Sequence, residues 1–191
     1  MAIWVAKPNV DRYKNLSLTG SHEDLMEVVR RFRKATSLQE SWVPVAVHFY
    51  EGDGQFDGDV EATQALPSGD FPWFVASGAL VFSEKALDAL LPLIQDDVEV
   101  LALDSDEGDF SLVHVLEILD CLDLEGSEFD ILPSGAISNI TRFQFRASCV
   151  MDRNIFRIPQ QLLSLIFVSD NFKKHVERCD LEGLTFVKVA D

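Results

Sequence analysis

Between residues 51 and 130 the chain has almost no positive charge: Lys85 is the single basic residue beside 21 Asp and Glu. The flanks are close to balanced, with 7 basic and 5 acidic residues in 1–50 and 8 basic and 6 acidic in 131–191. The formal charge of −16 on 191 residues therefore comes from the middle of the chain. A field of that sign repels nucleic acid and anionic membrane, and it attracts cations and basic protein surfaces. It also serves solubility, so acidity alone names no function.

Other absences narrow the chemistry. Cys121, Cys149 and Cys179 are odd in number and have no CxxC spacing, which argues against a disulfide framework and against a zinc site. Asp120 and Asp180 adjoin two of them, and a neighbouring acid disfavours thiolate. His22, His48, His114 and His175 are scattered with no HxH or HExxH spacing, and each reads as structural. There is no GxSxG elbow and no Gly-rich phosphate loop. No apolar run approaches the ~18 residues of a membrane span. The opening MAIWVAKPNV lacks a basic region followed by a long apolar stretch, so no secretory signal is expected and a reducing cytoplasm fits the cysteine usage.

What is present supports a packed core. Hydrophobic residues make up 47% and there are 14 Phe, more aromatic content than a disordered acidic segment carries. The length predicts one domain over 1–191, with an N-terminal sub-lobe over 1–70. AIWVA (2–6) reads as a strand. Ser21 is placed to cap HEDLMEVVRRFRKA, with Asp24 completing a variant capping box and Leu25, Val28, Val29 and Phe32 forming its apolar face. The late Arg30, Arg31, Arg33 and Lys34 suit the helix dipole. WVPVAVHFY (42–50) alternates as a strand, and Pro44 predicts a sheet edge. Residues 51–61, rich in Gly and Asp, form a loop, and 73–82 return the chain to the core.

The plainest regularity is a repeated unit. ALVFSEKALDALLPLI (79–94) reads as strand, Ser83 cap and amphipathic helix, followed by the strand VEVLAL (98–103). LIFVSDNFKKHVERC (165–179) and LTFVKV (184–189) follow the same plan around Ser169, with Gly183 marking the stop between helix and strand. Between them, 110–118 reads as a strand. TRFQFRASCV (141–150) and IFRI (155–158) are predicted to pair as a hairpin through Asp152-Arg153-Asn154. The predicted class is α+β: mixed, largely antiparallel sheets, about three helices, and strand–helix–strand units at 79–103 and 165–189.

LVFSEKALDALL, CLDLEGSEFDIL and IFRIPQQLLSLIFVSDNFKKHVERCDLEGLTFVKV carry a resemblance. Over roughly residues 75–190 the chain resembles a family of bacterial immunity proteins of polymorphic and contact-dependent toxin systems, first catalogued as a domain of unknown function. The resemblance implies neutralisation of a toxin by direct binding. It brings no catalytic residues with it.

Several acidic stretches are candidate sites. Residues 53–64 partly match a twelve-residue calcium loop, but Gln55 and Gln64 stand at positions three and twelve, where the second requires a bidentate Glu. Asp104, Asp106, Glu107 and Asp109 follow a predicted strand and could hold a divalent metal, which would make the chain a metal-dependent enzyme. The reading favoured here needs no cofactor. Asp53, Asp57, Asp59 and Glu61, then Asp104, Asp106, Glu107 and Asp109, then Glu125, Glu128 and Asp130 are expected to face a basic surface on a cognate toxin. Trp73, following Pro72, is the candidate apolar anchor. A non-catalytic structural or adaptor module is the third possibility. No nucleic-acid or membrane partner is expected, and oligomeric state is not legible.

Overall fold

The computed structural model describes residues 2–32, 35–50, 66–76 and 78–191. Its class is α+β. In chain order the elements are β1 (Ile3–Pro8), β2 (Asn15–Leu18), α1 (His22–Arg31), β3 (Val45–Tyr50), β4 (Ala79–Ser83), α2 (Glu84–Ile94), β5 (Val98–Ser105), β6 (Phe110–Val115), β7 (Glu128–Ile131), β8 (Ile137–Arg142), the one-turn α3 (Ala147–Val150), β9 (Ile155–Phe156), a 3₁₀ turn (Pro159–Gln161), β10 (Ile166–Ser169), α4 (Asp170–Arg178) and β11 (Leu184–Ala190). The strands form a four-stranded sheet β11-β1-β10-β9, a five-stranded sheet β2-β3-β5-β6-β4 and the hairpin β7-β8. Among the described strands β3 and β5 pair in parallel and the other pairings are antiparallel, with one isolated parallel bridge between Ile118 and Arg157.

Strand alternation puts each sheet between two apolar layers. The central layer holds Ala86, Leu90 and Ile94 of α2 and Phe172 and Val176 of α4. These meet Leu80, Phe82, Val113 and Val115 from the five-stranded sheet and Ile166 and Val168 from the four-stranded one. On the outer side of the five-stranded sheet, Val28 and Phe32 of α1 cover Leu16, Val47, Val81, Leu101 and Leu112. On the outer side of the four-stranded sheet, Ile3, Val5 and Phe167 pack with Leu122, Phe145, Val150 and Phe156.

The two strand–helix–strand units are built alike to the level of single hydrogen bonds. In the first, β4 and β5 flank β6, which is antiparallel to both. In the second, β10 and β11 flank β1, again antiparallel to both. Ser83 and Ser169 cap their helices, accepting from the amides of Ala86 and Phe172, each at 3.1 Å. Each serine hydroxyl also donates to an Asx side chain preceding its strand: Asp70 Oδ1 at 2.7 Å and Asn154 Oδ1 at 2.9 Å. Each serine amide donates to the carbonyl of the same Asx, at 2.9 and 3.0 Å.

These Asx residues clasp across the pair. Asp70 accepts from the Glu182 amide at 2.8 Å, in the α4–β11 connection, and its own amide donates to Glu182 O at 2.7 Å. Asn154 Nδ2 donates to Leu93 O at 3.2 Å near the end of α2, and Arg153 bridges to Asp97 at 3.0 Å in the α2–β5 connection. Each unit's entry therefore holds the other unit's helix exit.

Three local expectations fail. The pair 141–150 with 155–158 does not form. The first segment ends β8, turns through α3, and leaves β9 to pair with β10, because Asn154 is engaged with Ser169 and Leu93 rather than closing a hairpin. β3 is not an edge strand: β2 and β5 flank it, and Pro44 costs no ladder bond because it precedes the first strand residue. The left-handed stop after α4 is Asp180, at φ 48, while Gly183, at φ 109, brings the backbone within reach of the Phe71 amide. The capping box at Ser21 and Asp24 is present as expected.

Candidate functional site

The first acidic stretch, with Asp53, Asp57, Asp59 and Glu61, and the whole of the partial calcium loop lie outside the described residues. The second occupies the end of β5 and its turn into β6. Asp104, Asp106, Glu107 and Asp109 are all exposed there. Glu107 is ion-paired with Lys14 at 3.1 Å, so part of this charge is met within the chain. Thr19, His48, Asp104 and Asp106 line a shallow groove beside it.

The third stretch stands apart on the β7-β8 hairpin. Glu125, Glu128 and Asp130 are exposed; Glu128 pairs with Arg142 at 3.0 Å and Asp130 accepts from Asn139 at 2.8 Å. This hairpin roots in the outer layer of the four-stranded sheet, while the β5–β6 turn belongs to the other sheet. The second and third stretches are thus mounted on different sheets rather than gathered into one cluster. Trp73 is 37% exposed, its carbonyl accepts from the Leu16 amide at 2.8 Å, and it lines a groove of about 430 Å³ with Pro72, Leu163 and Ile166.

A polar network that the sequence reading missed lies inside the fold. Glu99 and His114 are cross-strand partners on β5 and β6, with His114 Nδ1 2.7 Å from Glu99 Oε1. Glu99 also accepts from the Ser37 hydroxyl at 2.7 Å and the Leu38 amide at 3.0 Å. Arg157, wholly buried, places Nη2 3.5 Å from His114 Nε2 and donates through Nη1 to Leu162 O at 3.2 Å. Burial disfavours a charge on His114 and lowers its pKa, and Arg157 adds to this against the pull of Glu99. Burial would raise Glu99, but the hydrogen bonds from His114, Ser37 and Leu38 outweigh it and hold the carboxylate low. Burial brings Arg157 down to about 10, still charged at neutral pH.

The network thus reads Arg⁺, neutral imidazole, carboxylate. A neutral His114 donates from Nδ1 to Glu99 and presents the Nε2 lone pair to Arg157. It is not a nucleophile–base pair: Ser37 donates to the acid rather than the imidazole, and the second imidazole nitrogen faces a guanidinium. Its role is to join two strands and Arg157 in one buried connection. The missed signal was a charged residue within an apolar strand pattern, Glu99 in VEVLAL and Arg157 in IFRI.

Among the described residues no three or more His, Cys, Asp or Glu side chains converge to hold a metal ion, and no helix is long and apolar enough to cross a membrane. Burial, with Cys149 beside it, pushes the Cys121 thiol up to about 12, so it carries no thiolate at neutral pH.

A model of the Immunity protein family (Imm11) matches residues 60–191. The chain belongs to this family. The match covers both clasped units and the hairpin, and it includes the 75–190 span in which the sequence motifs lie. Membership in an immunity family implies an immunity function and a cognate toxin as partner. No curated protein matches the sequence.

Proposed function

We propose that this protein neutralises a cognate bacterial toxin by binding it directly, without turnover, and by covering a basic active-site or substrate-binding surface with acidic side chains. The family match over 60–191 carries the reading. The concentration of 21 acids against one base in residues 51–130 supports its electrostatic part. A toxin that acts on phosphate-bearing substrates needs Lys and Arg at its cleft. An acidic inhibitor competes with that substrate and associates fast through steering. The contributing carboxylates are drawn from Asp53, Asp57, Asp59 and Glu61, from Asp104, Asp106, Glu107 and Asp109, and from Glu125, Glu128 and Asp130, with Trp73 as an apolar contact. The protein works as a single domain in the cytoplasm and needs no cofactor.

Co-expression tests this reading. The toxin domain encoded beside this chain should kill cells alone and spare them when the chain is present, and the two should co-purify. Continued killing with the chain well expressed would overturn the proposal.

A further inference from the structure

The hairpin is an unusual use of chain. Its root is tied into the core: Cys121, Leu122 and Phe145 are buried, the Arg146 amide donates to Cys121 O at 2.9 Å, and the Asp123 amide donates to Gln144 O at 2.8 Å. Beyond that root, no residue from Asp123 to Gln144 is buried. Ordering each residue costs about 1–2 kcal/mol of backbone entropy, and in this stretch only Ile140 and Phe143, half-buried near the root, recover part of it by packing on the core. Its tip is nevertheless apolar. Ile131 is 66% exposed and Leu132 48%, and Pro133 and Ala136 are exposed beside them. Residues 120–142 hold five acids, Asp120, Asp123, Glu125, Glu128 and Asp130, against one base, Arg142.

We infer that this hairpin arm is the element that docks on the toxin, with Ile131 and Leu132 entering an apolar recess bordered by Lys and Arg while Glu125, Glu128 and Asp130 meet the basic rim. The inference rests on the immunity reading and says which surface performs it. Charge selects the occupant. A second copy would bring two arms of like charge together within dimers already formally −32, whereas a basic protein cleft complements the arm. The rooted base holds the tip in place before binding, so little freedom is lost on docking.

The test uses the full-length chain and a catalytically inactive form of the toxin domain encoded beside it. Ile131→Ser with Leu132→Ser should weaken the complex about 30-fold or more, acting mainly on dissociation. Glu125→Lys, Glu128→Lys and Asp130→Lys together should slow association about tenfold at low salt, with the difference shrinking as salt rises. Both variants should keep the wild-type circular dichroism and melting behaviour, since they touch no buried residue. Unchanged affinity in both variants, with wild-type binding intact, would overturn the arm assignment and leave the immunity reading standing. Sedimentation of the free chain as a dimer that the Ile131/Leu132 variant dissociates would assign the tip to a second copy and overturn it too. Absence of wild-type binding would remove the immunity reading and the inference together.

Discussion

Residues 79–105 and residues 123–144 are stretches of comparable length put to opposite uses. The first is knitted into the body: β4, α2 and β5 bury Leu80, Phe82, Ala86, Leu90, Ile94, Leu101 and Leu103, and they take part in a capped helix, a cross-unit clasp and a buried charge network. The second has no fully buried residue, only Ile140 and Phe143 half-buried against the outer layer of the four-stranded sheet, and it keeps Glu125, Glu128, Asp130 and its Ile131–Leu132 tip in solvent. The contrast separates what the chain needs in order to fold from what it presents to a partner. Substitutions in the body should change stability first, and substitutions in the arm should change recognition first.

The sharpest way to break this contrast is the buried network. Glu99→Ala removes the buried acceptor shared by His114, Ser37 and Leu38 and leaves those donors unpaired, so it should cost about 3–5 kcal/mol in chemical denaturation. A loss below 1 kcal/mol would mean that the network contributes no structure. Gly78→Ala should follow at about 3 kcal/mol: a Cβ there would lie 1.8 Å from Arg157 Nη1, and the backbone sits at φ 71. Removing the helix caps is milder. Ser83→Ala and Ser169→Ala should each cost about 1–2 kcal/mol, and the near-identical bonding of the two serines predicts near-equal losses. A large inequality would show that the two units are alike in geometry but not in energy.

Acid should weaken the body through the same network. His114 is held below its ordinary pKa in the fold, so the unfolded chain binds a proton there first. Stability is then fully present above about pH 6.5 and declines as pH falls below it. Glu99, also held low, acts in the same direction at more acidic pH. Melting temperature should therefore fall between pH 6.5 and 5. The slope should flatten in His114→Gln, which can still donate to Glu99 but does not titrate; an unchanged slope would exclude His114 as its source. The smallest expected effect belongs to the arm. Replacing residues 129–138 with two glycines, which spares the Glu128–Arg142 pair and the root, should shift stability by less than about 1 kcal/mol.

How much of this was legible in the sequence divides along the same line. Ser83 and Ser169 announced their helices because a cap serine before an acid and an apolar 3.6-period pattern are local signals. Their recurrence also exposed the second unit. The partners of those serines, Asp70 and Asn154, lie 13 and 15 residues upstream and could not be read from spacing. Asn154 instead looked like the turn of a hairpin, and that error misplaced 141–158. Phe143 and Phe145 stack with ring centroids 5.9 Å apart just beyond the end of β8, not on a strand paired with β9. For the surfaces, acidity marked three stretches without showing that two of them sit on different sheets. Nor does charge reveal that Glu107 is partly met by Lys14 while Ile131 and Leu132 stand open beside Asp130.

The most direct measurement is hydrogen–deuterium exchange of the full chain, alone and bound to the inactive toxin domain. Amides in 124–142 should become strongly protected on binding, and more so than those in the β5–β6 turn, 104–109, whose carboxylates contribute at the periphery. Protection confined to 104–109, with the arm exchanging as fast in the complex as in the free chain, would contradict the assignment of the arm.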